Sequence, residues 1–287
     1  DGFNLCFKKM EQGLSNLTDF SQSGYSGDYY FNYNNKVNEF KTKYGLQPQE
    51  IDIILCIDEN GGAANQDCPF TARTFKCLRG LHKNPTRDFY NKHKDDFKMH
   101  LENPFQDIFR KVAEKFTSQM RDYLEVEKGL FSRILKNDWG KGGAWDFYWG
   151  AFYPKGGKRI EDAQLFVWIN QNIFEFGFYI GEYGIEQRQR FLSNCENNQA
   201  SLENILSPSL SDERFIFGEW QRQLEGGAVP EHLKDLTWKE WLADPGGKGI
   251  HVAVFLTEND VLALSRQELV EQIYDVFIRL FPSGIPI

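Results

Sequence analysis

Apolar residues recur at helical spacing through Phe3, Leu5, Phe7, Met10 and Leu14, and again through Val37, Phe40 and Tyr44. This predicts a mainly helical N-terminal subregion over residues 1–66, with one short strand at Ile51–Ile57 that ends in the turn Asp58-Glu59-Asn60-Gly61-Gly62. A second region, 67–287, begins with further helices. One covers Thr74–Leu81, and Asn84-Pro85 then reads as a cap with proline at the first helical position. The helix that follows carries Phe89, Tyr90 and Phe97. Asn103-Pro104 is expected to break it and start another, with Phe105, Ile108, Phe109, Val112, Phe116 and Met120 on one face.

From residue 130 the apolar period changes to two. Strands are expected at Leu130–Lys136, Asp146–Tyr153, Gln164–Asn170 and Ile173–Ile180, the last two joined as a hairpin by Asn170-Gln171-Asn172. Ile185–Leu206 reads as helix, Phe215–Phe217 and His251–Leu256 as strands. Ser265-Arg266-Gln267-Glu268 is a capping box opening a helix with Leu269, Ile273, Val276, Phe277 and Leu280 on one side. Helices grouped apart from an antiparallel sheet give an α+β class: the sheet with helices packed on it, plus the N-terminal helical subregion.

Composition narrows the function. The chain has 41% hydrophobic and 15% aromatic residues, enough for a packed core. Its net charge of -8 excludes coating of nucleic acid by bulk charge. The charge is unevenly placed, however. Residues 128–159 hold seven Lys/Arg (Lys128, Arg133, Lys136, Lys141, Lys155, Lys158, Arg159) against Asp138 and Asp146, a local charge of +5. The same stretch holds Trp139, Trp145, Phe147, Tyr148, Trp149, Phe152 and Tyr153 beside the glycine pairs Gly142-Gly143 and Gly156-Gly157, which are read as mobile. Cations neutralise phosphates and flat rings accept unstacked bases, so nucleic acid is the first partner this segment suggests.

The candidate nucleic-acid contacts are Lys136, Trp139, Lys141, Trp145, Tyr148, Tyr153, Lys155, Lys158 and Arg159. Asp138 and Asp146 are the candidates for base recognition, because a carboxylate accepts from a cytosine amine. The plainer reading of the strand is that Phe147, Trp149 and Phe152 turn into a core while Tyr148 and Tyr153 face out. The two readings are compatible, since one parity of a strand can pack while the other binds.

Other clusters carry less. His82, His93 and His100 lie in a lysine-rich helical region and read as a solvated face, so no metal site is expected. Glu175, Glu182 and Glu186 surround the end of the hairpin, and Glu175 between two phenylalanines reads as an outward-facing polar residue. Cys77 beside Phe75 and Leu78 reads as a buried thiol, and no G-x-S-x-G elbow occurs. Five scattered cysteines lack zinc-ligand spacing and suit free thiols in a reducing cytosol, hence a cytoplasmic protein. No apolar run reaches membrane-spanning length, so no membrane partner is expected.

Two blocks together carry a resemblance. Residues 74–109 give the helix start Asn84-Pro85-Thr86-Arg87-Asp88-Phe89 and a proline-broken helix. Residues 131–184 give an Arg133-Ile134 strand, a basic loop and a hairpin ending Gly181-Glu182-Tyr183. This order resembles a bacterial family of uncharacterised function, whose members carry Arg-Asp-x-Arg-Phe and a Pro-Tyr-Lys turn where this chain has Lys136-Asn137-Asp138-Trp139-Gly140-Lys141. It is also similar to the regions N-terminal to the AAA+ motor in McrB-type GTPase subunits of modification-dependent restriction systems. The closing stretch from Leu236 to Pro282 is similar to the end of such a region. The resemblance implies an anti-phage recognition module for DNA carrying a modified base such as a modified cytosine, captured by base flipping.

No G-x-x-x-x-G-K-[ST] loop occurs, so the resemblance implies a GTPase motor domain or subunit outside this sequence, and a nuclease subunit, as partners. Under this reading the chain has no catalytic residues and no cofactor. Two alternatives stand beside it. One is a small enzyme using Arg133, Asp138 and a carboxylate near Glu182. The other is a protein-interaction scaffold with the aromatics as core.

Overall fold

A computed structural model describes residues 67–137, 139–218, 237–243 and 249–281. The N-terminal subregion expected over 1–66, with its strand at Ile51–Ile57, lies outside the described residues, as does Asp138.

The helical part comes first: α1 (Ala72–Lys83), α2 (Arg87–Lys92), α3 (Lys94–Phe97), α4 (Asn103–Lys115) and α5 (Ser118–Tyr123). The sheet part follows with β1 (Phe147–Phe152), β2 (Gln164–Asn170), β3 (Ile173–Ile180), α6 (Ile185–Leu210), β4 (Phe215–Gly218), α7 (Trp238–Ala243), β5 (Ile250–Thr257), α8 (Glu258–Ala263) and α9 (Arg266–Leu280). The five strands form one sheet in the order β1-β2-β3-β5-β4, every neighbouring pair antiparallel. The protein is therefore α+β. Among the described residues no helix is long and apolar enough to cross a membrane.

Local chemistry explains most boundaries. In the β2–β3 hairpin the Asn170 side-chain oxygen accepts from the backbone N–H of Asn172 and Ile173, at 2.8 and 2.9 Å, which closes the turn. Ser265 accepts from Glu268 N–H and Glu268 accepts from Ser265 N–H, the reciprocal cap expected for α9. The helix from Ile185 runs four residues beyond the expected Leu206 and kinks at Asn198.

Three expectations are corrected. The cap of α2 is Thr86, whose hydroxyl accepts from Phe89 N–H at 3.2 Å, so Pro85 precedes the cap rather than following it. Leu130–Lys136 is not a strand. It makes two isolated bridges, Phe131 to Gly150 of β1 and Leu135 to Ala144 ahead of that strand. There the Ser132 hydroxyl takes the hydrogen bond of Trp149 N–H in place of a backbone carbonyl, which interrupts the ladder.

Asn103-Pro104 does not break the helix. The chain continues from α3 into α4 through a widened π turn at Lys98–Glu102. Proline has no N–H and its ring crowds the carbonyl four residues back, that of His100, and a widened turn relieves this. The freed His100 carbonyl accepts from the buried Thr74 hydroxyl at 2.5 Å, and the same hydroxyl accepts from Thr71 N–H at 3.1 Å. One threonine thus satisfies a backbone donor at the start of α1 and completes the neighbouring helix. Thr74→Val is expected to cost about 1–3 kcal/mol in urea unfolding, because a buried carbonyl loses its donor. In a Pro104→Ala background the cost should shrink, since alanine at that position supplies an N–H that His100 can use. Equal costs in the two backgrounds would exclude this coupling.

The helices pack on one face of the sheet. Tyr148, Gly150 and Phe152 of β1 lie on it, with Leu165, Val167 and Ile169 of β2, Phe174, Phe176 and Phe178 of β3, and Val252 and Val254 of β5. Phe105 and Phe109 of α4 and Phe277 of α9 meet Tyr148 and Phe152 ring against ring at 4.8–6.0 Å. Phe191 and Trp241 reach the β3 and β4 side, against Phe178 and Phe217. Gly150 is small because the Phe109 and Phe131 rings lie 2.9 Å from where its side chain would begin.

Candidate functional site

The opposite face of the sheet has a different composition. By strand alternation and register it carries Phe147, Trp149 and Ala151 of β1, and Gln164, Phe166, Trp168 and Asn170 of β2. Glu175, Gly177 and Tyr179 of β3 and His251, Ala253 and Phe255 of β5 complete it. Trp149, Trp168, Tyr179 and Phe255 are half-buried and pack against a floor of Ala151, Phe166 and Ala253. Trp149 pairs directly with Trp168, and Trp168 with Glu175.

The basic segment borders this face. The Trp145 ring lies 5.2 Å from Phe147, whose ring meets Trp168 edge-on at 5.1 Å. The Lys136 ammonium sits 4.2 Å above Trp145, and the Arg159 guanidinium 4.5 Å above Trp149. Cations and indoles therefore alternate along one edge. Arg159 Nε and Nη1 are buried with no hydrogen-bond partner, and burial pulls its pKa below the usual arginine value. Trp139 stands 96% exposed with φ of +56° between Asn137 and Lys141, and Lys141 is exposed beside it.

Backbone hydrogen bonds tie the glycine pair in this loop to its neighbours. Arg87 N–H donates to Gly142 O at 2.6 Å, Ala144 N–H to Pro85 O at 2.9 Å, and Lys136 N–H to Gly143 O at 3.1 Å. The loop is thereby anchored to the α1–α2 connection. Gly140 and Gly142 adopt φ of +88° and +77°, a conformation side chains disfavour.

The remaining expected contacts divide. Tyr148 is not outward-facing: it is 3% exposed under α4, its hydroxyl accepts from Gln106 at 3.1 Å, and burial pushes its pKa up to about 12. Tyr153 is also buried and donates to Lys128 O at 3.2 Å. The Tyr148 correction has a simple cause, whereas Tyr153 lies just past the end of β1. Tyr148 shares the parity of Phe152, which the helices cover, so Phe147 and Trp149 take the other side. Lys155 donates to Arg121 O at 2.6 Å and Lys158 pairs with Glu161 at 2.9 Å. Asp146 accepts from His82 Nδ1 at 2.6 Å. Among the described residues no three His, Cys, Asp or Glu are placed to hold a metal ion.

Glu175 is the largest departure. Alternation alone turns it outward, yet it is 1% exposed at the middle of β3, and it does not join Glu182 and Glu186, which are exposed beyond the strand's end. The same face also carries Gln164 and His251, 2% and 4% exposed, which sequence reasoning passed over. Their one sequence signal is a polar residue beside an apolar strand run: Gln164 opens β2 and His251 is the second residue of β5. Comparison of the chain with known protein families found no matching family model, and no characterised protein matched it.

Proposed function

We propose that residues 67–281 act as a DNA-recognition module, of the kind implied by the resemblance to the non-motor region of McrB-type restriction subunits. The observation that supports this is the cation–indole edge, where Lys136 on Trp145 and Arg159 on Trp149 border an aromatic sheet face. Bases stack on such rings while flanking cations meet the phosphates. Lys158 is neutralised by Glu161, so the electrostatic role falls on Lys136, Lys141 and Arg159, with Arg133 exposed nearby. Trp139 and Trp145 are the rings open to an incoming base. An AAA+ motor and a nuclease subunit remain the proposed partners, and a modified cytosine the proposed mark.

Fluorescence-anisotropy titration against matched duplexes, unmodified and cytosine-modified, tests this across a salt series. The expected result is affinity falling steeply with salt, with a log–log slope reduced by roughly 0.9 in Lys141→Ala. Trp145→Ala should lose about 1–3 kcal/mol. Absence of binding to every duplex and single strand at low salt would overturn the proposal.

A further inference from the structure

We infer that the second face of the sheet holds a binding site for a planar nitrogen heterocycle presenting two adjacent N–H donors, as the guanine edge does, with Glu175 as its anchor. Three polar side chains more than nine-tenths buried lie on that face: Gln164, Glu175 and His251. Both amide atoms of Gln164, both carboxylate oxygens of Glu175 and Nε2 of His251 have no hydrogen-bond partner. Burying one such group unsatisfied is costly, and a carboxylate is the most costly of the three. Such groups are rarely orphaned in native proteins: a bound molecule, an ion or an ordered water completes them.

Their placement gives the ligand's shape. Gln164, Tyr179 and His251 form one row across β2, β3 and β5; Trp168, Glu175 and Phe255 form another, two rows of side chains on the same face. Between them lie Phe166, Gly177 and Ala253. Glu175 Oε1 and His251 Nε2 stand 3.9 Å apart, within ion-pair reach when the histidine is protonated but too far for a direct hydrogen bond. His251 packs tilted against the Phe166 ring at 5.4 Å and edge-on to Phe255 at 5.9 Å.

The free groups select the chemistry. A carboxylate offers acceptors only, so its two oxygens match two adjacent N–H donors. Guanine supplies these at its ring N–H and exocyclic amine, whereas neutral cytosine and adenine set an acceptor beside their amine. His251 Nε2, close to Glu175, then serves one of the ligand's own acceptors. A phosphate is disfavoured by the carboxylate, and a quaternary ammonium would leave His251 unused. This site does not depend on the DNA reading, because none of its three polar groups belongs to the basic segment.

The test is calorimetric titration of the full chain with guanosine, inosine and tetramethylammonium, and with a guanine-bearing and a guanine-free single-stranded oligonucleotide. Guanosine should bind saturably. Inosine, which lacks the amine, should bind about tenfold or more weakly. Glu175→Gln should weaken guanosine by a similar factor while leaving the thermal midpoint unchanged or higher, which a merely structural carboxylate would not do.

Glu175-dependent binding of the guanine oligonucleotide without free guanosine also supports the site, and identifies the heterocycle as a base within a strand. The inference is overturned if neither binds at millimolar concentration. It is equally overturned if inosine equals guanosine, if Glu175→Gln changes nothing, or if tetramethylammonium binds instead. Trp145→Ala and Lys141→Ala should leave guanosine binding unaltered, so failure of the DNA proposal and failure of this one are separable.

Discussion

Gly177→Ala is expected to lose about 3 kcal/mol or more of folding stability, or to prevent folding. A Cβ at Gly177 would lie 2.0 Å from Val252 O and 2.6 Å from Ala253 Cα, both backbone atoms of the neighbouring β5. A side chain in the way can rotate, but a strand in a paired ladder cannot move without breaking hydrogen bonds on both sides. The β3–β5 pair is central, with eight registered residues from Ile173 to Ile180 against Thr257 to Ile250, so displacement at Gly177 spreads along it. Gly140→Ala is the control. It carries φ of +88° with nothing within 4 Å, so only the local backbone cost of about 1–2 kcal/mol applies. Urea unfolding of the two variants measures the difference; equal losses would mean that β5 does not approach β3 so closely. Gly177 also lies between Glu175 and Tyr179 on the inferred ligand face, so a tolerated variant there would bear on both.

Phe152→Ala is expected to cost about 3–5 kcal/mol. Its fully buried ring lies 4.8 Å from both Phe109 and Phe116 and 6.0 Å from Phe277, joining β1 to α4 and α9 at one point. The cavity left would be bounded by three large rings, two from α4 and its C-cap and one from α9, which limits collapse around it. Trp139→Ala, 96% exposed, should stay within about 0.5 kcal/mol. Chemical denaturation of both variants distinguishes an aromatic that packs from one held out in solvent. A loss below about 1 kcal/mol for Phe152→Ala would show that the helix layer does not rest on β1.

The sequence by itself determined the α+β class, the β2–β3 hairpin with its ends, and the capped helix at Arg266–Leu280. Each rests on contacts within a few residues: an apolar period, an Asn side chain closing a turn, a Ser–Glu cap. It also singled out Lys136, Trp145 and Arg159 as members of one aromatic, basic segment. What it did not determine was which parity of β1 faces the helices, since Phe, Tyr and Trp stand at both parities from Phe147 to Tyr153. Only the packing of Phe105, Phe109 and Phe277 decided that, and it buried Tyr148 while leaving Trp149 on the other face.

Pro104 gave a break signal that tertiary structure overrode, because Thr74, far earlier in the chain, supplies the hydrogen bond that proline removes. Gln164, Glu175 and His251 are widely separated along the chain and have no sequence pattern in common. Strand register alone brings them together on one face, because a pairing between β2, β3 and β5 is fixed by the whole ladder and not by any local run of residues.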